Sequence, residues 1–344
     1  MTIEERFMKR ALDLAQLGKG RVSPNPLVGC VIVHNGQIIG EGFHQKYGGP
    51  HAEVNAVNAV EDQEKLKKAT VYVSLEPCSH FGKTPPCSDL LIAKQVKKVV
   101  ICNVDPNPLV AGRGIEKLKQ AGIEVVDGVL AAEGNELNKC FFTSMTQQRP
   151  YVILKWAQTT DGFIARENYD SKWISNALSR KWVHKWRAEF DAIMVGTNTA
   201  QHDNPTLNVR SWQGENPVRV VLDKELRLNP ALKLFDQTIP TICYNFQKDH
   251  QIENLIHVQL TNDDTLLPQI LTDLHQRNYQ SLFVEGGAKL LNAFIDQDLW
   301  DEARVFIGKQ AFGKGIAAPK QSKSALETHE LEGDYLKIYR NLKS

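Results

Sequence analysis

The chain has 344 residues, 42% of them hydrophobic and 24% charged, with a net charge of +1; this is enough length for about two domains and the make-up of a folded globular protein. Near-neutral charge argues against a general nucleic-acid binder, which needs a basic stripe to neutralise phosphates, and the lysine clusters at 65–68 and 97–98 are short enough to read as solvated element ends. The sequence reads as lacking a signal peptide and any apolar run near the ~18 residues of a membrane helix, so its six cysteines are expected in a reducing cytoplasm, without disulfides.

In chain order, Thr2-Ile3-Glu4-Glu5 has the pattern of a capping box, and Ile3, Phe7, Ala11, Leu14 and Ala15 form the apolar stripe of a helix ending at Gly18. Pro24-Asn25-Pro26 then holds Asn25 in a stiff loop, where its amide either reads a heterocycle edge or supports a turn. Strands are predicted at 28–33 and 37–40, joined through the hairpin pair Asn35-Gly36. A helix starts at Pro50-His51-Ala52-Glu53, and another near Cys87 runs through Leu90, Leu91 and Ile92. Strands at 70–74, 96–103 and 123–126 and a helix at 114–121 complete an alternation that implies a three-layer α/β domain. Asp105-Pro106-Asn107-Pro108 follows one of these strands as either a turn or a substrate loop.

His51, Cys78 and Cys87 have the chemistry of three zinc ligands, since zinc favours imidazole and thiolate, and a catalytic site keeps its fourth position for water. Glu53, two residues after the histidine, is placed to carry a proton from the attacking water to a leaving nitrogen. That is equipment for hydrolytic deamination. The deaminase signature pairs H-x-E with P-C-x-x-C, whereas here the insert Ser79-His80-Phe81-Gly82-Lys83-Thr84-Pro85-Pro86 separates the cysteines. Its glycine and prolines let it loop out and return Cys87 to the metal. The bland alternative makes both cysteines core thiols and His51 an ordinary helix-start residue.

A polar stretch at 146–150 marks a boundary, giving expected domains at 1–146 and 147–344. Strands are predicted at 151–158, 191–196, 217–223, 241–245, 281–285 and 303–307, with helices at 179–190 and 266–277, which makes a second α/β domain. From residue 320 the chain reads as a polar tail with a last strand near 335–339. No Gly-x-Gly-x-x-Gly follows a strand. The best phosphate candidate is Glu285-Gly286-Gly287-Ala288, where a strand gives way to a helix N-terminus, and a plain tight turn is the even-weighted alternative.

Together, Ser23-Pro24-Asn25-Pro26, His51-Ala52-Glu53, the run from Pro77-Cys78 to Pro86-Cys87, and Asp105-Pro106-Asn107-Pro108 resemble the bifunctional deaminase/reductases of riboflavin biosynthesis, in which the long cysteine spacing is regular. The segments at 155–162, 171–174, 195–200, 203–210 and 284–287 resemble the reductase half of the same enzymes. The resemblance implies a cytidine-deaminase-like three-layer domain followed by a dihydrofolate-reductase-like α/β domain. It further implies one Zn2+ per chain and NADPH as cofactors. Glu53 would shuttle the proton, His51, Cys78 and Cys87 would hold zinc, and Asn25, His44, His80, Lys83 and Asn107 would line the deaminase pocket. NADPH would lie across Ala157, Trp173, Thr199, Asp203 and the run Gly287-Ala288-Lys289-Leu290-Leu291-Asn292-Ala293, with substrate held by Ser171, Arg187, Leu207, Arg210 and Glu285. Lys155 and Asp203 are the candidates for proton transfer in the reduction. On the bland side, Lys83 is a solvated loop lysine, the two arginines are surface ion pairs and Trp173 is core.

The implied partner is a small phosphoribosylaminopyrimidine, with no nucleic acid and no membrane, and a homodimer or homotetramer is compatible with the chain. Two other classes stay open at this point. A deaminase acting on a base in tRNA or DNA fits the first half, though near-neutral charge and the long cysteine loop oppose it. A zinc-clamped structural protein fits the ligands, though three ligands and a glutamate are a poor match to the closed four-ligand structural site.

Overall fold

In the computed structural model, which describes residues 1–81, 85–107 and 111–341, the chain divides into two units, Met1–Gln148 and Arg149–Ser344. The first unit runs α1 (Ile3–Gln16), β1 (Gly29–His34), β2 (Gln37–Phe43), α2 (Ala52–Asn58), β3 (Thr70–Leu75), α3 (Cys87–Ala93), β4 (Lys98–Asn103), α4 (Arg113–Gln120), β5 (Glu124–Val126), α5 (Ala131–Leu137) and α6 (Lys139–Gln147). The capping box of α1 forms as expected, with Glu5 N–H donating to Thr2 Oγ1 at 3.2 Å and Thr2 N–H to Glu5 Oε2 at 2.7 Å. Ile3, expected on the apolar stripe, is instead 58% exposed in the first turn, and Phe7, Met8, Ala11, Leu12, Leu14 and Ala15 make the buried face. Asn35 and Gly36 both have positive φ, as a two-residue hairpin turn requires, and join β1 to β2.

The sheet order is β2-β1-β3-β4-β5, with β1 antiparallel to both neighbours and β3, β4 and β5 parallel. Strand alternation gives the sheet two apolar faces. On one, Ile32, Val71, Val73, Val99 and Ile101 pack with α2, α3 and α4; on the other, Val31, Val33, Tyr72 and Val100 pack with α1. This is the three-layer arrangement expected.

Helix α2, which carries Glu53, lies directly on Gly42 of β2. A Cβ there would stand 2.6 Å from the Ala52 carbonyl oxygen and closer still to the Ala56 nitrogen, both backbone atoms. Overpacking of this kind costs about 1–3 kcal/mol. Gly42→Ala is therefore expected to lower the stability of the first unit by that amount, read by denaturant unfolding, and to slow the chemistry at Glu53 by displacing α2. An unchanged unfolding midpoint would contradict this packing.

The second unit runs β6 (Tyr151–Gln158), β7 (Phe163–Ala165), α7 (Ala177–Glu189), β8 (Ala192–Gly196), α8 (Thr197–Asp203), β9 (Val218–Leu222), β10 (Thr241–Asn245), β11 (His250–Ile252), β12 (Leu255–Gln259), α9 (Leu266–Gln276), β13 (Ser281–Val284), α10 (Ala288–Asp296), β14 (Glu302–Ile307), β15 (Ile316–Ala317), β16 (Glu327–Leu331) and β17 (Asp334–Arg340). Its large sheet has the order β11-β12-β10-β9-β8-β13-β6-β14-β17-β16. The strands from β12 to β14 are parallel, while β11, β17 and β16 attach antiparallel at the edges.

Buried residues of α9 and α10, including Ile270, Leu271, Leu274, Leu291 and Phe294, cover one sheet face. Trp186 of α7 meets Phe283 and Phe306, with ring centroids 6.1 and 5.5 Å away. The six strands expected in this half are all present, with ends within one or two residues. The short β7, β11, β12, β15 and β16 and helix α8 were not expected, and the tail holds a hairpin, β16–β17, in place of a single strand.

Candidate active sites

In the first unit, three segments that carry the sequence motifs converge. His51 is the N-cap of α2, with extended backbone angles and no side-chain capping hydrogen bond. Cys78 follows the end of β3, and Cys87 is the first residue of α3. His51 Nδ1 lies 3.7 Å from Cys78 Sγ and 3.3 Å from Cys87 Sγ, and all three donor atoms fall within 4.8 Å of one another.

Ligands about 2.0–2.3 Å from a common tetrahedral centre stand roughly 3.5 Å apart, so the donor set fits a zinc ion with one position left over. The thiols fit as well. Cys78 is driven well below its ordinary pKa, chiefly by the Cys87 thiol and also by His51, while Cys87 is driven up by the same contact and by burial. The Cys87 amide also donates to Cys78 Sγ at 3.3 Å. A dication binding here would displace the proton that the two sulfurs share and keep both as thiolate ligands.

Glu53, in the first turn of α2, is 3% exposed. Burial pushes its carboxyl up to about 7, the Cys78 charge adding to the effect and His51 opposing it. Near His51, His44 Nδ1 lies 3.0 Å from the Pro50 carbonyl, which fixes the Nδ1–H tautomer, and its Nε2 accepts from Asn25 Nδ2 at 3.1 Å. The His44 and His51 rings stand edge to face, 5.6 Å apart.

The structure thus brings Asn25 and His44 to the ligand cluster. Asn25 sits on a loop closed by its own N–H to the Val22 carbonyl at 2.8 Å. That loop is clamped by the buried Asn138, whose side chain exchanges hydrogen bonds with both backbone groups of Leu27 at 2.8 and 2.9 Å. Exposed His80 is close enough to act electrostatically on Asp105, whose carboxylate accepts the Asn107 amide at 2.8 Å. Lys83 lies outside the described residues, as do Gly82, Thr84 and Pro108 of the sequence motifs.

In the second unit the carboxyl ends of β8, β13 and β6, adjacent and parallel, open at one edge. From β13 the chain passes through Glu285, Gly286 and Gly287 into α10, and both glycines have positive φ. Thr199 of α8 lies against this turn: a Cβ on Gly287 would come within 3.1 Å of its Oγ1. The turn thus presents backbone N–H groups at the start of α10, beside Thr199 and with Asp203 at the far end of α8. Ala157 is half-buried on β6, Asn292 and Ala293 lie in α10, and Trp173 is 59% exposed with the Arg180 guanidinium 4.5 Å above its ring, so it is a surface platform and not core.

The Arg187 guanidinium grips Glu285 with both arms, Nε to Oε1 at 2.6 Å and Nη2 to Oε2 at 2.8 Å, and donates through Nη1 to the Asn208 carbonyl at 3.1 Å. Lys155 Nζ is 3.8 Å from Glu285 Oε2. Burial lowers Lys155 despite the carboxylate; burial opposes ionisation of Glu285 too, but Arg187 and Lys155 carry it below its ordinary value. Leu207 is buried with φ of +51° and begins the segment leading to exposed Arg210, whose Nη1 donates to Asn208 Oδ1 at 3.2 Å. Ser171 is half-buried on the loop leading to α7. His184, one turn before Arg187 and 5% exposed, was not singled out in the sequence; burial, then Arg187 and Arg210, push it down to about 4, so a neutral imidazole faces this cluster. Its three-residue spacing from Arg187 was the available signal.

The cytidine and deoxycytidylate deaminase zinc-binding region matches residues 1–103, and the RibD C-terminal domain matches residues 150–333. The riboflavin biosynthesis protein RibD of Aquifex aeolicus is 44% identical over 321 residues, 92% of this chain and 89% of that protein. That of Escherichia coli is 39% identical over 329 residues, 90% of this chain and 89% of its own. Among solved structures, a diaminohydroxyphosphoribosylaminopyrimidine deaminase/5-amino-6-(5-phosphoribosylamino)uracil reductase of Thermotoga maritima aligns with a TM-score of 0.90 at 38% identity, covering 98% of both chains.

Proposed function

From the premise that the chain belongs to the RibD family of bifunctional riboflavin biosynthesis enzymes, we propose how its own residues divide the work. The chain is a deaminase and a reductase, with a cytidine-deaminase-like first unit and a dihydrofolate-reductase-like second unit, and it uses Zn2+ and NADPH. It removes the 2-amino group of 2,5-diamino-6-(5-phosphoribosylamino)pyrimidin-4(3H)-one and then reduces the ribosyl group of the product to ribityl.

The observation that carries the site assignment is the convergence of His51, Cys78 and Cys87 beside buried Glu53. His51, Cys78 and Cys87 hold zinc, which when bound supplies Lewis acidity that brings the pKa of water to about 7. Glu53 accepts the proton of the attacking water and delivers it to the 2-amino nitrogen, which leaves as ammonia as the carbonyl forms. Asn25, with His44 oriented by Pro50, reads the ring edge, and His80, Lys83 and Asn107 take the phosphoribosyl end.

In the second unit, Ala157, Trp173, Thr199, Asp203 and the segment from Gly287 to Ala293 hold NADPH, which supplies the hydride. Ser171, Leu207 and Arg210 hold the ribosyl phosphate, and Glu285 is aligned by Arg187 towards the sugar. As C1 gains hydride, its bond to the ring oxygen breaks, and that oxygen takes a proton; Lys155, lowered by burial, is the donor we assign. A small phosphorylated substrate and no nucleic-acid partner suit the net charge of +1. No helix among the described residues is long and apolar enough to cross a membrane, and we place the enzyme in the cytoplasm.

The test is to supply the diaminopyrimidine substrate and NADPH together and identify the product by mass. A product carrying only the amino-to-carbonyl change, without the two hydrogens of reduction, in the presence of NADPH would remove the reductase assignment. Stripping zinc with a chelator is expected to stop ammonia release while leaving NADPH oxidation on pre-deaminated substrate intact. Loss of both together would contradict separate sites.

A further inference from the structure

Two residues before Cys78 lies a second buried carboxylate, Glu76, 4% exposed and without a cationic partner among the described residues. Its Oε2 accepts the amides of Asp105 at 3.2 Å and Gly112 at 2.9 Å, and its Oε1 accepts those of Gly114 at 2.9 Å and Ile115 at 3.2 Å. The donors come from two places: Asp105 opens the loop to Asn107, and the other three begin α4. Gly114 presses so close to the turn that a Cβ on it would overlap the Pro77 carbonyl. Asp105, held by Glu76, in turn holds the Asn107 amide.

We propose that Glu76 is a positioning residue for deamination: its carboxylate locks the Pro77-Cys78 turn to the Asp105–Asn107 loop, so that a metal ligand and the substrate-facing loop keep one spacing. This rests on the deaminase reading of the site. Four inward N–H donors need a carboxylate, whose two oxygens are acceptors only; a glutamine would turn an NH2 group onto two of them. The consequence is specific. The loop carrying Asn107 loses its tether, while His51 and Cys87, on α2 and α3, do not depend on it.

The experiment uses the full chain. Glu76→Gln is expected to raise the deaminase KM tenfold or more while one zinc per chain is retained by elemental analysis and NADPH oxidation on pre-deaminated substrate is unchanged. Gly114→Ala, which disturbs the same contact from the other side, is expected to raise KM likewise. A KM within twofold of wild type, or a change confined to kcat or to thermal stability, overturns the proposal. If Glu76→Gln loses zinc or fails to fold, Glu76→Asp decides by the same criteria, since it keeps the charge but cannot reach both sets of donors. Wild-type protein run alongside separates the two ideas: no ammonia from it would refute the deaminase reading itself.

Discussion

Glu53→Gln is expected to reduce ammonia release by roughly 10²–10⁴, the usual contribution of a positioned proton carrier, while leaving the zinc content and the reductase untouched. Glutamine matches glutamate in shape, and the site around residue 53 is buried, so packing is preserved and only the ability to take up a proton is removed. Stability should hold or rise, because burial disfavours the ionised carboxyl and already pushes this one up to about 7. The readouts are steady-state ammonia release, zinc per chain and the thermal melt. Undiminished turnover with zinc in place would sink the role given to Glu53, and loss of zinc would reassign the residue to holding the metal site together.

The candidate deaminase centre was legible because its residues sit in short local patterns: H-x-E spans the cap and the first two residues of α2, and Cys78 and Cys87 bracket a single loop. The buried parallel strands were legible too, as apolar runs covered on both faces. What the sequence hid are contacts whose other half is distant backbone. Glu76 looks like any polar residue after a strand until its partners at 105 and 112–115 are known. Asn138 gives no sign that it clamps Leu27, 111 residues away. The edge strands β11 and β16 are almost wholly exposed, so no apolar period marks them. Arg187 and Glu285 were each read as substrate contacts; their bidentate pairing spans 98 residues and is a property of the fold.

That pairing yields the largest effect expected in the reductase half. Glu285→Ala should abolish NADPH oxidation and destabilise the second unit by about 3–5 kcal/mol, the cost of stranding a buried charge. Arg187 and Glu285 are only 11% and 7% exposed at their side chains, and Lys155 Nζ is 3.8 Å away. Without the carboxylate, two cations would face each other. The pH dependence has a fixed sign. Because Glu285 is held below its ordinary 4.5, its stabilisation is complete above that pH and is lost as pH falls through the depressed value. The difference in melting between wild type and Glu285→Gln should therefore be widest near neutrality and shrink below pH 4.5. An apolar replacement of both partners, Arg187→Met with Glu285→Leu, should cost less than Glu285→Ala alone, since no unpaired ion is left from the pair, yet it should remain inactive. If the double variant were the less stable one, the penalty would lie in packing, and the ion pair would not be what holds Glu285 towards the substrate.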